Sequence, residues 1–263
     1  MGLSAEIRRR RVRGRVKLRD GDADDRAGLE NQREAEALLE RNKRRIFDLQ
    51  EALYAERRRA LLVVLQGTDT SGKDGTIRHV FSGVNPQGCR VTSFKVPSAD
   101  EAAHDFLWRV HREVPARGLI GVFNRSHYED VLVVRVHGLV PKDVWKRRYG
   151  QINRFEEHLA ENGVRVIKFF LHVSRDEQEK RLEARRRDPR KRWKVNPGDE
   201  AERRFWGRYR EAYEDALERC STPEAPWFVV PADRKWVRNA FVSQAVADTL
   251  EDMDPRFPGK EKK

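Results

Sequence analysis

A chain of 263 residues, 38% hydrophobic and 37% charged, can bury the core of one large α/β domain or two small ones. Its net charge of +12 favours a polyanionic partner, whether nucleic acid, nucleotide or polyphosphate. Two cysteines do not suggest a disulfide scaffold and fit a reducing cytoplasmic setting, and no apolar run reaches the length of a membrane span.

Residues 1–27 carry Arg8-Arg9-Arg10-Arg11, then Arg13, Arg15, Lys17 and Arg19, then an aspartate-rich stretch from Asp20 to Asp25. They lack the apolar core of a signal peptide. Low hydrophobicity predicts a loosely ordered basic arm. Over 28–58, Leu29, Ala35, Leu38, Leu39, Ile46, Leu49, Leu53 and Tyr54 recur at three- and four-residue intervals, which predicts one long amphipathic helix. Leu61–Leu65 is an aliphatic run that predicts a first strand. It ends in Gly67-Thr68-Asp69-Thr70-Ser71-Gly72-Lys73-Asp74-Gly75, and a helical pattern follows from about Thr76 to Val84.

Strand, glycine loop and helix form the setting in which G-x-x-x-x-G-K makes a phosphate cradle. Gly67 and Gly72 allow the tight turn that aims successive N–H groups at phosphate oxygens. The candidate phosphate-binding positions are Gly67, Thr70, Ser71, Gly72, Asp74 and Gly75, with Arg78 on the helix that follows. Lys73 reaches a terminal phosphate as a point charge. Asp74 stands where a serine or threonine usually ligates magnesium, so Asp69 is the candidate metal ligand.

Further strands are predicted at 91–96, 119–123, 164–171 and 227–230. Helical patterns fall near Phe106–Val110 and at 128–136, 142–161, 175–195, 200–219 and 235–252. This alternation predicts a parallel five-stranded sheet covered on both faces, in one domain over 28–255 with a charged tail at 256–263.

Ligands of such sheets gather beyond the carboxyl ends of the strands. After the third strand that end reads Asn124-Arg125-Ser126-His127-Tyr128-Glu129-Asp130. A helix cap at Asn124 or Ser126 explains one of these residues and leaves the rest to function. Asn124 occupies the place of a carboxylate that orients magnesium through water. Arg125 suits a bidentate phosphate contact. Glu129 and Asp130 either hold a metal or orient the acceptor. His127 reads as structural, because phosphoryl transfer needs positioning more than a strong base.

After the fourth strand comes Lys180-Arg181-Leu182-Glu183-Ala184-Arg185-Arg186-Arg187-Asp188-Pro189-Arg190-Lys191-Arg192-Trp193-Lys194. Arg181 and Arg185 share one helical face, and Pro189 breaks the helix after Asp188. A solvated charged face is the plain explanation. The position favours an arginine-rich lid over about 175–200, with Arg181, Arg185, Arg190 and Lys194 as its phosphate contacts.

These three stretches, in this order, resemble the type 2 polyphosphate kinases, and the similarity runs from about residue 30 to 255. The resemblance implies a P-loop kinase fold like that of thymidylate kinase, and transfer of a terminal phosphoryl group from inorganic polyphosphate to a nucleotide. It implies magnesium, with manganese as the alternative ion, and a homo-oligomer, dimer or tetramer. The family's functional positions fall on Asp69, Lys73, Arg125, Asp130 and the lid arginines near Arg185. Many members carry aspartate at the position of Asn124. The asparagine resembles the subgroup that accepts nucleoside mono- and diphosphates. Membrane and nucleic acid are not the expected partners. Two other readings stand beside this one: an ATP-dependent nucleotide or polynucleotide kinase, and a non-catalytic polyanion-binding protein.

Overall fold

The structure, a computed structural model, describes residues 2–195 and 198–259; the side chains of Lys194, Asp199 and Glu200 also lie outside the described set. Five strands form its centre: β1 (Ala60–Gln66), β2 (Cys89–Ser93), β3 (Ile120–Asn124), β4 (Val164–His172) and β5 (Trp227–Pro231). They pair parallel in the order β2-β3-β1-β4-β5. Central β1 is buried along its whole length. Both of its faces are covered, so it reads in the sequence as a continuous apolar run rather than an alternation.

The longer helices are α1 (Leu3–Arg9), α2 (Gln32–Glu56), α3 (Lys73–Val80), α4 (Lys142–Glu161), α5 (Arg175–Arg187), α6 (Trp206–Cys220) and α7 (Lys235–Met253). Side chains alternate between the faces of a strand. Leu61, Val63 and Leu65 therefore join the core made with α2, α3 and α7. Ala60, Leu62 and Val64 join the one made with α4 and α6. Each buried leucine contributes about 2 kcal/mol. The long helix α2 starts where the Asn31 side chain accepts the Glu34 N–H, and stops where Arg57 turns left-handed at φ 51°.

The helix expected over 175–195 ends at Arg187, the one expected over 200–219 is split into Asp199–Arg203 and Trp206–Cys220, and three further expectations change. Residues 2–27, expected to be a loose arm, pack on the domain, with Leu3, Ile7, Val12, Leu18, Ala23 and Ala27 buried. Val12 N–H donates to the Trp227 carbonyl at 2.9 Å, and Val229 N–H to that of Arg10 at 3.2 Å. The arm thus covers the open edge of β5, which would otherwise expose unpaired backbone groups. Its apolar residues are too widely spaced among arginines to give a periodic signal. Strand β2 ends at Ser93 rather than Val96, because it is only as long as the part of β3 it pairs with. Helix α3 begins at Lys73 rather than Thr76, directly after the last loop glycine.

Candidate active site

β1 delivers the chain to the carboxyl edge of the sheet, where it turns through Gly67–Gly72. A Cβ at Gly67 would lie 2.6 Å from Ser71 Oγ and 2.8 Å from the Leu171 carbonyl, so no larger residue fits. Gly72 sits at φ 102° and Thr70 at φ 59°. The hydroxyls of Thr68 and Ser71 are buried within the loop without hydrogen-bond partners. Orphan donors of this kind suit a phosphate. Lys73 Nζ donates to the Gly67 and Thr68 carbonyls at 2.7 and 3.2 Å.

Burial, aided by the nearby Arg125 and opposed by Asp69, Glu129 and Asp74, pushes the Lys73 ammonium down to about 8. The charged form, which meets the phosphate, therefore dominates below pH 8 and is lost above it. kcat/KM for the phosphoryl donor is expected to fall above about pH 8, since it reports the free enzyme. A donor profile flat to about pH 10, as for an ordinary lysine, would contradict the shift.

Across the loop stands the end of β3. Asn124 Nδ2 donates to Asp74 Oδ1 at 2.8 Å. An aspartate at 124 would set two carboxylates against each other there, which gives the asparagine a local physical reason. Arg125 is left-handed at φ 63°, a conformation that costs an arginine about 1 kcal/mol or more. Its guanidinium lies 3.6 Å from Asp69 Oδ1 and 3.6 Å from Glu129 Oε2. The structure thus gathers Asp69, Lys73, Asp74, Asn124, Arg125 and Glu129 at the carboxyl edge of the sheet.

Other predicted site residues lie elsewhere. Asp130, cast as catalytic, accepts from Arg148 Nη1 of α4 at 2.8 Å. Burial raises its carboxyl above the ordinary range, with Arg148 opposing. Arg181, cast as a phosphate contact, donates instead to the carbonyls of Thr70 (3.0 Å), Ser71 (3.2 Å), Ala232 (2.6 Å) and Asp233 (2.7 Å). It ties the loop to the segment after β5. Arg78 is exposed in the last turn of α3, about 7.5 Å along the axis from Lys73. Arg190 is exposed and lies 3.7 Å from Asp188. Arg185 follows Arg181 by one turn on the same face of α5, half-buried. The Lys194 side chain lies outside the described residues. Gly75 lies in α3, close behind which the guanidinium of Arg238 packs.

Ser126 Oγ caps the turn His127–Asp130 and accepts from Gln66. Beneath the turn is a buried polar network. Lys168 Nζ donates to Tyr128 Oη at 2.8 Å, to the Cys220 carbonyl at 2.7 Å and to Glu156. His127 Nε2 lies 3.1 Å from Glu156 Oε1, as befits a structural histidine. Burial works against charge on Glu156, but Lys168 and His127 outweigh it and hold the carboxyl below its ordinary range. Lys168→Met is expected to cost about 3–5 kcal/mol in chemical denaturation, because it strands a buried carboxylate. Lys168→Met/Glu156→Gln should recover part of the loss. An unchanged midpoint in the single variant would show that the pair contributes nothing.

A match to the polyphosphate kinase 2 (PPK2) family covers residues 29–258. The chain belongs to the polyphosphate kinase 2 family. It is 53% identical over 250 residues to the AMP/ADP-polyphosphate phosphotransferase of Meiothermus ruber, covering 94% of this chain and 93% of that protein. It is 50% identical over 233 residues to the ADP-polyphosphate phosphotransferase of Rhodopseudomonas palustris, covering 84% and 81%. The crystal structure of polyphosphate kinase 2 from Arthrobacter aurescens TC1 superposes with a TM-score of 0.94 at 42% identity, covering 98% of this chain and 93% of that one. The parallel sheet with flanking helices is the fold of the polyphosphate kinase 2 enzymes.

In this polyphosphate kinase 2 chain the residues missed from sequence are those that act behind the site. Arg148 was hidden in the basic face of an amphipathic helix. Gln178 donates to the Asp69 carbonyl at 3.3 Å and gave no signal in a charged run. Lys168 did give one, as a cation inside the apolar run of β4, whereas Arg238 follows Arg234 and Lys235 closely and gave none. Among the described residues no helix is long and apolar enough to cross a membrane. No trio of His, Cys, Asp or Glu side chains among them forms a cation cage. Magnesium does not need one, since it keeps waters and takes one or two carboxylates beside substrate phosphates. The partly exposed Asp69 carboxylate at the loop mouth, next to orphan hydroxyls that suit phosphate, fits that demand.

Proposed function

We propose that the chain transfers the terminal phosphoryl group of inorganic polyphosphate to ADP and AMP, with GDP and GMP as further acceptors, reversibly in principle. The observation that carries this reading is the cluster of groups around the phosphate loop. A phosphate loop that carries orphan hydroxyls, Asp69 and Lys73 faces Arg125 and Glu129, and basic helix α5 borders the loop. The relatives named as AMP/ADP- and ADP-polyphosphate phosphotransferases support it.

Phosphoryl transfer asks the protein mainly for alignment and charge stabilisation. An oxygen of the acceptor's terminal phosphate forms a bond to the last phosphorus of the chain. The P–O bond to the penultimate phosphate breaks, and polyphosphate leaves one unit shorter. The loop N–H groups and Lys73 hold the transferred group, and Arg125 meets charge on its equatorial oxygens. Magnesium bound through Asp69 would neutralise charge between the phosphates. Asp69→Asn is expected to shift the magnesium titration of turnover to about tenfold higher concentration or more. A titration curve unchanged at saturating substrates would remove Asp69 from the metal site.

The lid grips polyphosphate, a flexible anion whose binding must be largely sequence-blind. Phosphorus NMR of the purified protein with polyphosphate and either AMP or ADP tests the reading. It should show loss of chain-end phosphate with matching growth of the nucleotide. Polyphosphate bound but never shortened would instead favour a polyanion-binding protein.

A further inference from the structure

Arg238 lies in α7 between residues that make an ordinary apolar helix, with Val237, Ala240, Phe241 and Val242 fully buried. Its own residue is only 2% exposed. The guanidinium packs against the back of the phosphate loop. A Cβ on Gly72 would lie 1.8 Å from its Nη1, and one on Gly75 3.2 Å from its Nη2. The two glycines are therefore also the room that this arginine occupies.

Its hydrogen-bond partners are neutral. Nη1 donates to the Ser71 carbonyl at 3.3 Å, and Nε and Nη2 to Asn239 Oδ1 at 3.2 and 2.9 Å. Among the described residues no carboxylate is paired with it. Burial, and then the neighbouring cation Arg181, push its pKa down to about 9. A buried cation without a counter-charge is costly to a fold. A neutral donor would satisfy the Ser71 carbonyl equally well. The charge therefore needs a reason, and the Ser71–Gly72 backbone that Arg238 touches is the wall of the phosphate cradle.

We infer that Arg238 is a positioning residue whose uncompensated guanidinium, packed behind Gly72 and Gly75, draws phosphate into the loop from the far side. It touches no substrate. The missing counter-charge is the phosphate of a polyanion bound on the opposite face of the loop. The identity of that polyanion rests on the donor proposed above. Arg238 then has opposite effects in two states: it weakens the empty protein and strengthens the phosphate-bound one. Arg181 differs, because its guanidinium also pairs with Glu177 at 2.8 Å.

The test compares thermal melting of the parent, Arg238→Met and Arg238→Gln, each alone and with polyphosphate or ATP, together with donor kinetics. The glutamine variant keeps a donor for Ser71 without the charge. Expected are melting temperatures at or above the parent's without anion, and a smaller rise when anion is added. The donor KM should increase about tenfold, the scale of one poorly screened charge, with a lesser change in kcat. Variants that melt lower or fail to fold, or that keep the parental anion response and donor KM, would make Arg238 a structural residue and overturn the inference. A parent stabilised by ATP but not by polyphosphate would sink the donor assignment, while the ATP arm still reads the role of Arg238.

Discussion

Lys73→Ala is expected to lower turnover by about 10³ or more while the protein stays folded. Lys73 opens α3 beneath the loop, and its ammonium already spans the Gly67 and Thr68 carbonyls. A terminal phosphate entering the cradle meets this charge at the point where negative charge shifts during transfer. Among the described residues, none occupies the same position. Arg125 approaches from β3, on the other side, and Arg181 is held behind the loop by four carbonyls. The fold should survive, because removing a buried ammonium also removes its desolvation cost. Turnover and thermal melting measured on the same preparation separate the two effects. Near-normal turnover in a folded variant would take Lys73 out of the mechanism.

Arg125→Ala should be comparably severe, about 10³-fold in turnover, and Arg125→Lys should rescue little of it. The guanidinium lies between Asp69 and Glu129, 3.6 Å from each, so both carboxylates fix its orientation without satisfying all of its donors. A planar fork held in this way can contact two phosphate oxygens at once; an ammonium cannot. The left-handed backbone at this position supports the same view, since strain is kept where geometry matters. Arg125→Gly, which relieves that strain, should melt no lower than Arg125→Ala and be equally inactive. If Arg125→Lys turns over like the parent, the contact is simple charge and not a fork.

Much of the fold was legible because local signals agreed. The apolar run of β1, the glycine loop and the start of α3 are contiguous in sequence, so the cradle could be read directly. The end of β3 was legible as a site because its polar run directly follows a buried strand. Residues that work across sequence distance were not. Arg181 reads as a lid arginine, yet the parallel crossover that brings α5 beside the loop also presents backbone carbonyls to it before any phosphate does. Asp130 shares a sequence motif with Glu129, but the turn at His127–Asp130 sends the two carboxylates to different partners, Arg148 and Arg125. The basic arm looked disordered because its few apolar residues are stabilised by the uncovered edge of β5, an environment that no local pattern reveals. Its arginines were the stronger signal and pointed the wrong way.

The decisive measurement is the donor preference of the purified protein, with magnesium and AMP, offered either polyphosphate or ATP. The expected result is ADP followed by ATP with polyphosphate alone, at a rate far above any ADP formed from ATP. Rapid turnover with ATP and none with polyphosphate would contradict the assignment and place the chain among the ATP-dependent nucleotide kinases.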